Sequence, residues 1–519
     1  MRQLAKLLSR LDGSEGSNPS LSANPFGPEH QPLSGIFGGW RPLLAPFGPP
    51  APLGLRSMRP ATMQYLHPAD LKDQRVLVLG LGAFGGGAGC ARALAALGAL
   101  VTVTDLRPAE DLQEGIVALE GLPITFALGG HSEDLFEDAD VVVVNPAVPS
   151  EAKWLQVAQD CGCKLTTEVN LAIAAAAHLP AIAITGTNGK STCAAMTAHL
   201  LEGLPGTTVL SGNLGGSLLE AVLPLQEGDR LVIELSSFQT ERLVAPKGWP
   251  QVVVLTHLGI DHLDRHHTVA QYWQAKRRLL EYQDEHGSFL LPVDCENATQ
   301  WQKEARGTAL QLRPEALPDF GLTTADLPFS EPYRLPSLLA ALHAARLLGM
   351  DDEMIRQRTR SFPGLPYRMA RFTDPHGRNI IDNAVATHPD PTAAALKNLQ
   401  GEVVLLAGGK DKGLDLSELV ETCKRCTRLY FYGQGGSRLA KECQAAGLPS
   451  AWSEHFEDAA TKALQSVGNS EFLLFSPTFS SYDEFRNFRD RAELFHSLCA
   501  GVCVRKEETG RTSAATETR

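Results

Sequence analysis

Short runs of apolar, mostly β-branched residues recur along this chain and alternate with stretches that have helical spacing. They stand at residues 76–79, 101–104, 141–144, 181–185, 231–235 and 252–256, and a second set at 403–407, 429–432 and 472–475. Buried parallel strands separated by helices have this pattern. The sequence therefore predicts an α/β protein with doubly wound sheets and a separate α/β unit in the last third. Residues 288–336 give no clear pattern.

The length of the chain indicates several domains. One hydrophobic core rarely grows to 519 residues, so we expect three. We place them at residues 66–167, 168–366 and 367–505, followed by a disordered tail at 506–519.

Residues 1–65 are expected to be a disordered extension, because Pro and Gly interrupt its apolar runs. The basic first ten residues leave a transit peptide open as an alternative. Residues 16–19 (GSNP) are what the 3′ arm of a transfer-RNA gene would encode if translated. We therefore expect the true start at Met58 or Met63.

Composition narrows the classes of function. A net charge of -12 argues against a broad nucleic-acid surface. No apolar run approaches the ~20 residues of a membrane helix, so membrane insertion is not expected. The ten cysteines are scattered, with one C-x-x-C pair at Cys423 and Cys426 and no second pair at zinc spacing. Reduced thiols in a cytoplasmic protein are the simplest account.

A glycine-rich turn follows the first predicted strand. Gly80, Gly82 and Gly85 have G-x-G-x-x-G spacing ahead of a helix of small residues, the context in which backbone amides bind a diphosphate. Asp105 ends the next strand, where an acidic residue commonly binds a ribose hydroxyl. By itself this unit indicates a dinucleotide-dependent oxidoreductase, a site for another nucleotide, or a turn needed only for packing.

A second glycine-rich loop, TGTNGKST at residues 185–192, follows another strand and opens a helix. Its amides and Lys190 can surround the β- and γ-phosphates of a nucleoside triphosphate, and a hydroxyl can reach magnesium. Ile184 replaces the first Gly of the common spacing. The residues expected to bind ATP here are Gly186, Thr187, Asn188, Gly189, Lys190, Ser191 and Thr192.

Two further strings with charged residues stand at the ends of the next strands. Glu234 closes one strand within ELSSFQ, and the string DHLDRH at residues 261–266 follows another. Carboxylates and an imidazole at neighbouring strand ends suit magnesium bound together with phosphate oxygens. We expect His267, beyond this string, to be a surface residue.

In this order, the strings TGTNGKST, GNLG, ELSSFQ and DHLDRH resemble those of the Mur ligase family, and the resemblance covers roughly residues 70–500. It implies a Rossmann-like N-terminal domain that binds the UDP part of a substrate, a central P-loop ATPase-like domain, and a Rossmann-like C-terminal domain that binds an amino acid. It also implies ATP and Mg²⁺, small-molecule substrates, and a role in peptidoglycan synthesis. We expect a monomer.

The resemblance also implies roles for single residues. The catalytic residues would be Lys190, Glu234, His262 and Lys276, the last matching a lysine that is carbamylated in the family. The metal ligands would be Ser191, Glu234, His262 and Lys276. The UDP-linked substrate would contact the turn at residues 145–148 (NPAV) as well as Gly80, Gly82, Gly85, Asp105, Arg107 and Asn213.

The C-terminal third is similar to that of the family members that add D-glutamate. GGKDK at residues 408–412 and SPTFSSYDEFRNF at residues 476–488 carry the similarity. Thr387, Lys412, Ser481 and the amide of Phe488 would then bind D-glutamate. The implied reaction is ATP-dependent addition of D-glutamate to UDP-N-acetylmuramoyl-L-alanine through an acyl phosphate.

Two segments depart from the family pattern. Relatives usually carry NDSKATN where this chain has DNAVATH at residues 382–388, so Asn383, Ala384 and Val385 replace an acid, a serine and a lysine. Residues 331–337 carry Tyr333, Arg334 and Ser337 in place of other polar residues. We expect altered adenine and ribose contacts, with Arg368 at the hinge compensating.

Three alternatives stay open at this point. A sister ligase that adds L-glutamate or another amino acid would share the ATP-binding residues. An oxidoreductase would need a nicotinamide cofactor at the first glycine-rich turn. A catalytically silent nucleotide-binding relative is favoured only by the altered residues 383–385.

Overall fold

The computed structural model describes residues 62–82, 85–293, 295, 298–329, 334–485 and 487–501. The predicted extension up to residue 61, with the expected start at Met58, and the predicted tail at 506–519 lie outside the described residues, as do Tyr333 and Arg486. Met63 forms a parallel bridge with Leu165, so the chain already lies against the first sheet before residue 66.

The first sheet is parallel, with the strand order β3-β2-β1-β4-β5. Its strands are β1 (Arg75–Leu79), β2 (Leu100–Asp105), β3 (Ile124–Leu128), β4 (Val141–Val144) and β5 (Lys164–Thr166). Its helices are α1 (Gly86–Ala96), α2 (Gln113–Val117), α3 (Asp134–Glu137) and α4 (Lys153–Asp160). Val76 and Val78 belong to one apolar cluster and Leu77 and Leu79 to another, so both faces of β1 are covered.

The second sheet has the order β11-β10-β9-β6-β8-β7. Its strands are β6 (Ala181–Thr185), β7 (Thr208–Gly212), β8 (Arg230–Glu234), β9 (Val252–Leu255), β10 (Ser288–Pro292) and β11 (Thr308–Leu312). The accompanying helices are α5 (Glu168–Ala176), α6 (Lys190–Leu201), α7 (Leu218–Val222), α8 (Ser237–Thr240), α9 (Leu263–His266), α10 (Val269–Tyr282), α11 (Thr299–Glu304), α12 (Leu335–Leu347) and α13 (Asp352–Arg360). Strands β10 and β11 occupy the segment in which the sequence shows no clear pattern.

The third sheet is mixed, with the order β12-β13-β17-β14-β15-β16. Its strands are β12 (Ala370–Thr373), β13 (Asn379–Asp382), β14 (Val403–Gly408), β15 (Cys426–Tyr432), β16 (Ala451–Ser453) and β17 (Phe472–Thr478). Its helices are α14 (Pro389–Asn398), α15 (Ser417–Cys423), α16 (Gly433–Ala445), α17 (Phe456–Ser466) and α18 (Phe488–Cys499). Strand β12 is antiparallel to β13, because Asp374 accepts hydrogen bonds from the amides of His376 and Arg378 and closes a hairpin there.

The first and second sheets share one hydrophobic core. Residues of β1 and β6 belong to the same apolar cluster, and α1 packs against α7. Arg92 of α1 forms an ion pair with Glu220 of α7 at 2.5 Å. The predicted three-domain α/β fold is confirmed. Across the described part of the chain, no helix is both long and apolar enough to cross a membrane.

Candidate active site

The phosphate loop lies at the carboxyl end of β6, where the strand passes into α6. Gly189 is the N-cap of that helix, with φ 82°, and Gly186 has φ 149°. A Cβ atom on Gly186 would lie 2.2 Å from Thr256 Oγ1, so the close approach of these segments requires glycine. Amides at the start of a helix have no partner within it and are oriented to bind an anion.

Two lysines are buried beside this loop. Lys190 is 4% exposed and donates from Nζ to the carbonyl of Thr187 at 2.9 Å. Lys276 on α10 is 2% exposed and donates to the carbonyl of Gly186 at 2.7 Å. Burial lowers the pKa of both amines, and the neighbouring Lys190 lowers that of Lys276 further. Two enclosed amines at one loop suit a ligand rich in negative charge.

Two buried carboxylates follow the strands on either side of β6. Glu234 ends β8, and its Oε1 accepts from Asn213 Nδ2 at 2.9 Å. Asp261 follows β9, and its Oδ2 lies 3.4 Å from His262 Nε2. Glu234 Oε2 and Asp261 Oδ2 have no hydrogen-bond partner among the described residues. Burial raises the pKa of Asp261 to about 6, and burial together with Lys190 lowers the pKa of His262 to about 4.

These groups fit a divalent cation that is bound jointly with phosphate. A buried carboxylate oxygen without a partner is costly and marks a place for a proton, water or cation. Within the ranges that the structure describes, no three His, Cys, Asp or Glu side chains come together as a metal site of their own. Mg²⁺ commonly takes one or two carboxylates and completes its shell with phosphate oxygens and water. The donor set therefore suits magnesium that arrives with a nucleotide.

A cavity of about 590 Å³ separates the phosphate loop from loops of the third sheet. Lys190 and Ser191 line one wall, and Asn383, Val385 and Thr387 line the other. The cavity therefore faces the end of the phosphate loop on one side and the C-terminal domain on the other.

Arg368 also lines this cavity, where the chain passes from the second to the third sheet. Its Nη2 lies 3.5 Å from Ser191 Oγ, and its carbonyl accepts from Arg334 Nη2 at 2.7 Å. The arginine therefore connects the start of α6 with the C-terminal domain.

Two loops of the third sheet meet because β14 and β17 are neighbours. The amide of Lys410 donates to the carbonyl of Ser480 at 2.9 Å. The guanidinium of Arg491 is fully buried and donates to the carbonyls of Gly408 and Phe479, at the ends of the two strands. These contacts hold the two loops together.

The predicted amino-acid-binding residues lie on or beside these loops. Lys412 is an exposed residue whose Nζ lies 3.5 Å from Nε2 of the buried His388. Ser481 is 1% exposed, and its Oγ has no hydrogen-bond partner among the described residues. Phe488 begins α18, so its amide belongs to the first turn of that helix.

The first glycine-rich turn is held by Asp105 at the end of β2. Its Oδ2 accepts from the amides of Leu81 and Gly82 at 3.0 and 3.2 Å, and its Oδ1 from the amide of Arg107 at 3.0 Å. Asn145 Nδ2 donates to the carbonyl of Gly80 at 3.3 Å. The carboxylate of Asp105 therefore fixes the shape of the turn, and contact with a ribose or uracil would be in addition to this.

Comparisons with known proteins agree with this geometry. Residues 74–167 match the model of the Mur ligase MurD-like N-terminal domain, residues 184–313 the Mur ligase middle domain, and residues 367–479 the Mur ligase glutamate ligase domain. The UDP-N-acetylmuramoylalanine--D-glutamate ligases of Citrifermentans bemidjiense and Geobacter sp. (strain M21) are 31% and 32% identical over 82% of this chain and 97% of their own length. The chain belongs to the Mur ligase family.

Solved structures of other Mur ligases share the fold. MurC from Thermotoga maritima aligns with a TM-score of 0.51 and 18% identity, over 81% of this chain and 99% of its own. MurF from Thermotoga maritima, in complex with ADP, aligns with a TM-score of 0.50 and 14% identity, over 82% and 98%. At these sequence identities the similarity supports a shared fold and nothing more.

In this Mur ligase, the residues predicted to be catalytic come together at one edge of the second sheet. The negative charges of Glu234 and Asp261 raise the pKa of Lys190 against the effect of burial, and the positive charge of Lys276 lowers the pKa of His262. His267 is exposed, as predicted. The roles of these residues stay predictions, but the strand order β9-β6-β8 explains why they lie close together.

Among the described residues, those that depart from the family pattern fall at this Mur ligase's cavity and in the core behind it. Ala384 is fully buried in the C-terminal core, and Val385 packs against the same cluster. Asn383 Nδ2 donates to Ser476 Oγ at 3.0 Å. Ser337 Oγ lies 3.4 Å from the carbonyl of Gly189, beside the phosphate loop. The C-terminal core accommodates both apolar side chains.

Sequence reasoning missed some residues of the site. Asp261 and Arg265 lie in the DHLDRH string, but the sequence pattern predicted no separate role for either residue. Tyr272 Oη donates to Thr187 Oγ1 at 3.1 Å, and its ring lies under the ammonium of Lys276. Arg242, which contacts the first domain, has no motif around it that could have indicated this contact.

Proposed function

We propose that this Mur ligase uses ATP to add D-glutamate to UDP-N-acetylmuramoyl-L-alanine in peptidoglycan synthesis. The observation that carries the proposal is the cavity with the phosphate loop on one wall and Thr387 of the C-terminal domain on the other. A phosphorylated carboxylate formed at the first wall can be attacked by an amine bound at the second. The choice of D-glutamate is supported by the names of the relatives that match most of the chain.

The first step is attack of the alanyl carboxylate on the γ-phosphate of ATP, with ADP as the leaving group. Amides of the phosphate loop and Lys190 bind the phosphates and stabilise the charge that develops on the oxygens during transfer. The product is an acyl phosphate. Gly80, Gly82, Gly85, Asp105 and Arg107 hold the UDP part, and Asn213 contacts the substrate from the central domain.

Magnesium is the metal that the donor set fits, with Ser191, Glu234, His262 and Lys276 as the residues that would hold it. When bound, it supplies charge neutralisation for the phosphates. Lys276 would take part as its carbamate, because a carbamate is an anionic oxygen ligand whereas an ammonium cannot bind a cation. Burial lowers the pKa of its amine, and the uncharged amine is the form that can be carbamylated.

The second step is attack of the D-glutamate amine on the acyl phosphate, which releases phosphate and forms the amide. Lys412 binds one glutamate carboxylate, and Ser481 with the amide of Phe488 binds the other. Thr387 adds a hydroxyl contact. Closure of the C-terminal domain over the cavity excludes water, which would otherwise hydrolyse the intermediate.

A phosphate-release assay tests the function. Purified enzyme is supplied with ATP, Mg²⁺ and UDP-N-acetylmuramoyl-L-alanine, and release is compared with D-glutamate, L-glutamate or neither. We expect release that requires D-glutamate. Release with L-glutamate instead would identify a sister ligase. If neither amino acid supports release and hydroxylamine traps no acyl phosphate as a hydroxamate, the proposed function is wrong.

We also propose domain boundaries at residues 167/168 and 366/367, and a monomer that acts in the cytoplasm. The boundaries are supported by the first sheet, whose last strand ends at Thr166, and by the third sheet, which begins at Ala370. Limited proteolysis tests the boundaries, and light scattering tests the monomer.

A further inference from the structure

Four consecutive carbonyls of the first domain accept hydrogen bonds from two arginines of the central domain. The carbonyls belong to the turn at residues 145–148, which follows β4. Arg242 donates to the carbonyl of Val148 at 2.7 Å and to that of Asn145 at 3.3 Å. Arg265 donates to the carbonyls of Pro146 and Ala147, both at 3.4 Å. One guanidinium thus binds the two outer carbonyls and the other binds the two inner ones.

Both arginines are held in place by Glu241. The side chains of Arg242 and Arg265 are 5% and 8% exposed. Glu241 forms an ion pair with Arg265 and lies 3.9 Å from Nε of Arg242. The same carboxylate accepts from the hydroxyl of Ser150 in the first domain at 3.1 Å. Burial lowers the pKa of Arg242 only to about 10, so the guanidinium is still charged at neutral pH.

The arginines are connected to the metal and phosphate residues through short segments. Arg265 lies in α9, whose N-cap is His262. Arg242 follows α8, which begins at Ser237, the last residue of the ELSS string that opens with Glu234. On the other side, Asn145 donates to the carbonyl of Gly80 in the first glycine-rich turn. A continuous set of contacts therefore links the first glycine-rich turn with the segments that carry the predicted metal ligands.

We propose that Arg242 and Arg265 are positioning residues that fix the turn at 145–148, and with it the muramoyl-alanine end of the substrate, relative to the phosphate loop. This inference rests on the proposed function, in which the alanyl carboxylate must meet the γ-phosphate in line. Arginine is required because its planar guanidinium binds two carbonyls at once, whereas a lysine ammonium is a single point of contact. Transfer depends strongly on such alignment.

The test uses the full-length enzyme with Arg242→Lys and Arg265→Lys, which keep the charge. The matched control is Arg230→Lys. Arg230 is also a buried arginine of the central domain that binds carbonyls, those of Leu201 and Gly228, but it lies at the amino end of β8, away from the site. Two measurements are made on each variant: steady-state kinetics for each substrate, and deuterium exchange of the amides in residues 145–152.

We expect kcat/KM for UDP-N-acetylmuramoyl-L-alanine to fall by about 10-fold or more in both Arg242→Lys and Arg265→Lys, which is the scale of one lost charge-assisted hydrogen bond. The KM for ATP should stay within about 2-fold of the wild-type value, and deuterium exchange of the amides in residues 145–152 should accelerate. The Arg230→Lys control should leave both kcat/KM for UDP-N-acetylmuramoyl-L-alanine and the exchange of residues 145–152 unchanged.

Two results would overturn the proposal. One is unchanged exchange of residues 145–152 in both variants. The other is a fall in kcat/KM of the same size in the Arg230→Lys control, which would indicate a purely structural role. Inactive wild-type enzyme would refute the ligase function instead, and the exchange measurement would still decide whether the two arginines fix the turn at residues 145–148.

Discussion

Glu168 offers a prediction whose size follows from the structure. It is the first residue of α5, and its Oε1 accepts from Ser217 Oγ at 2.6 Å and from the amide of Leu219 at 3.2 Å. These partners begin α7, directly after the loop that carries Asn213. Although Glu168 as a whole is only half-buried, desolvation of its carboxyl raises its pKa from 4.5 to about 7. The folded protein therefore holds a proton here that the unfolded chain releases more readily.

The sign and size of the effect on stability follow by linkage. Below pH 4.5 the carboxyl is protonated in both states and costs nothing. As pH rises toward 7, the unfolded chain ionises first, so the free energy of unfolding falls. A pKa difference of roughly 2.5 corresponds to about 3 kcal/mol in the free energy of unfolding, and this contribution is fully lost above pH 7. Glu168→Gln cannot ionise and should remove this loss.

The assay is urea unfolding of the wild type and of Glu168→Gln at half-unit steps from pH 4.5 to pH 8.5. We expect the free energy of unfolding of the variant, relative to the wild type, to increase by about 3 kcal/mol across this range, with most of the change between pH 5 and pH 7. Glu285→Gln, at an exposed position, serves as the control. If the free energy of unfolding of the wild type and of Glu168→Gln changed in parallel with pH, the reasoning would be refuted, because Glu168 would then have the same pKa in the folded and unfolded protein.

Three further predictions concern the site. Gly186→Ala should abolish ADP binding measured by calorimetry, because its Cβ would lie 2.2 Å from Thr256 Oγ1. The control Gly228→Ala should bind ADP normally, because Gly228 also has a positive φ but a Cβ there would have no atom within 4 Å. Normal binding by both variants would contradict this prediction. Lys190→Met should lower kcat for phosphate release by about 100-fold to 1,000-fold, as expected for lost transition-state stabilisation, and a smaller change than 10-fold would exclude the assigned role. Lys412→Met should raise the KM for D-glutamate by about 10-fold to 100-fold with the KM for ATP unchanged, and equal changes in both would argue against a carboxylate contact.

Much of the fold is predictable because strand, turn and helix signals are local. The run at 181–185 coincides with β6, and the run at 141–144 coincides with β4. Strands β10 and β11 were missed because Pro292 and the polar residues around them obscure the pattern. Strand β15 begins at Cys426, three residues before the predicted run, because pairing with β14 extends it through polar residues.

The site was predictable to the extent that its residues lie in contiguous strings. The phosphate loop, Glu234 and His262 each stand at a strand end that the sequence marks. Lys276 differs, because a lysine on a helix is ordinarily exposed, and only the packing of α10 on the phosphate loop buries it. The resemblance to a known family indicated its role where helical periodicity could not.

The sequence by itself determined the nine apolar runs that form strands, the glycine-rich turns that follow two of them, and the residue types that stand at the strand ends. These depend on backbone preferences and side-chain chemistry within a few residues. The tertiary structure decided which strand ends are neighbours: β8 and β9 flank β6, and β17 lies beside β14. It also brought Arg242 to the turn of another domain. Such neighbours depend on how distant apolar faces are buried together, and no short string of residues records that choice.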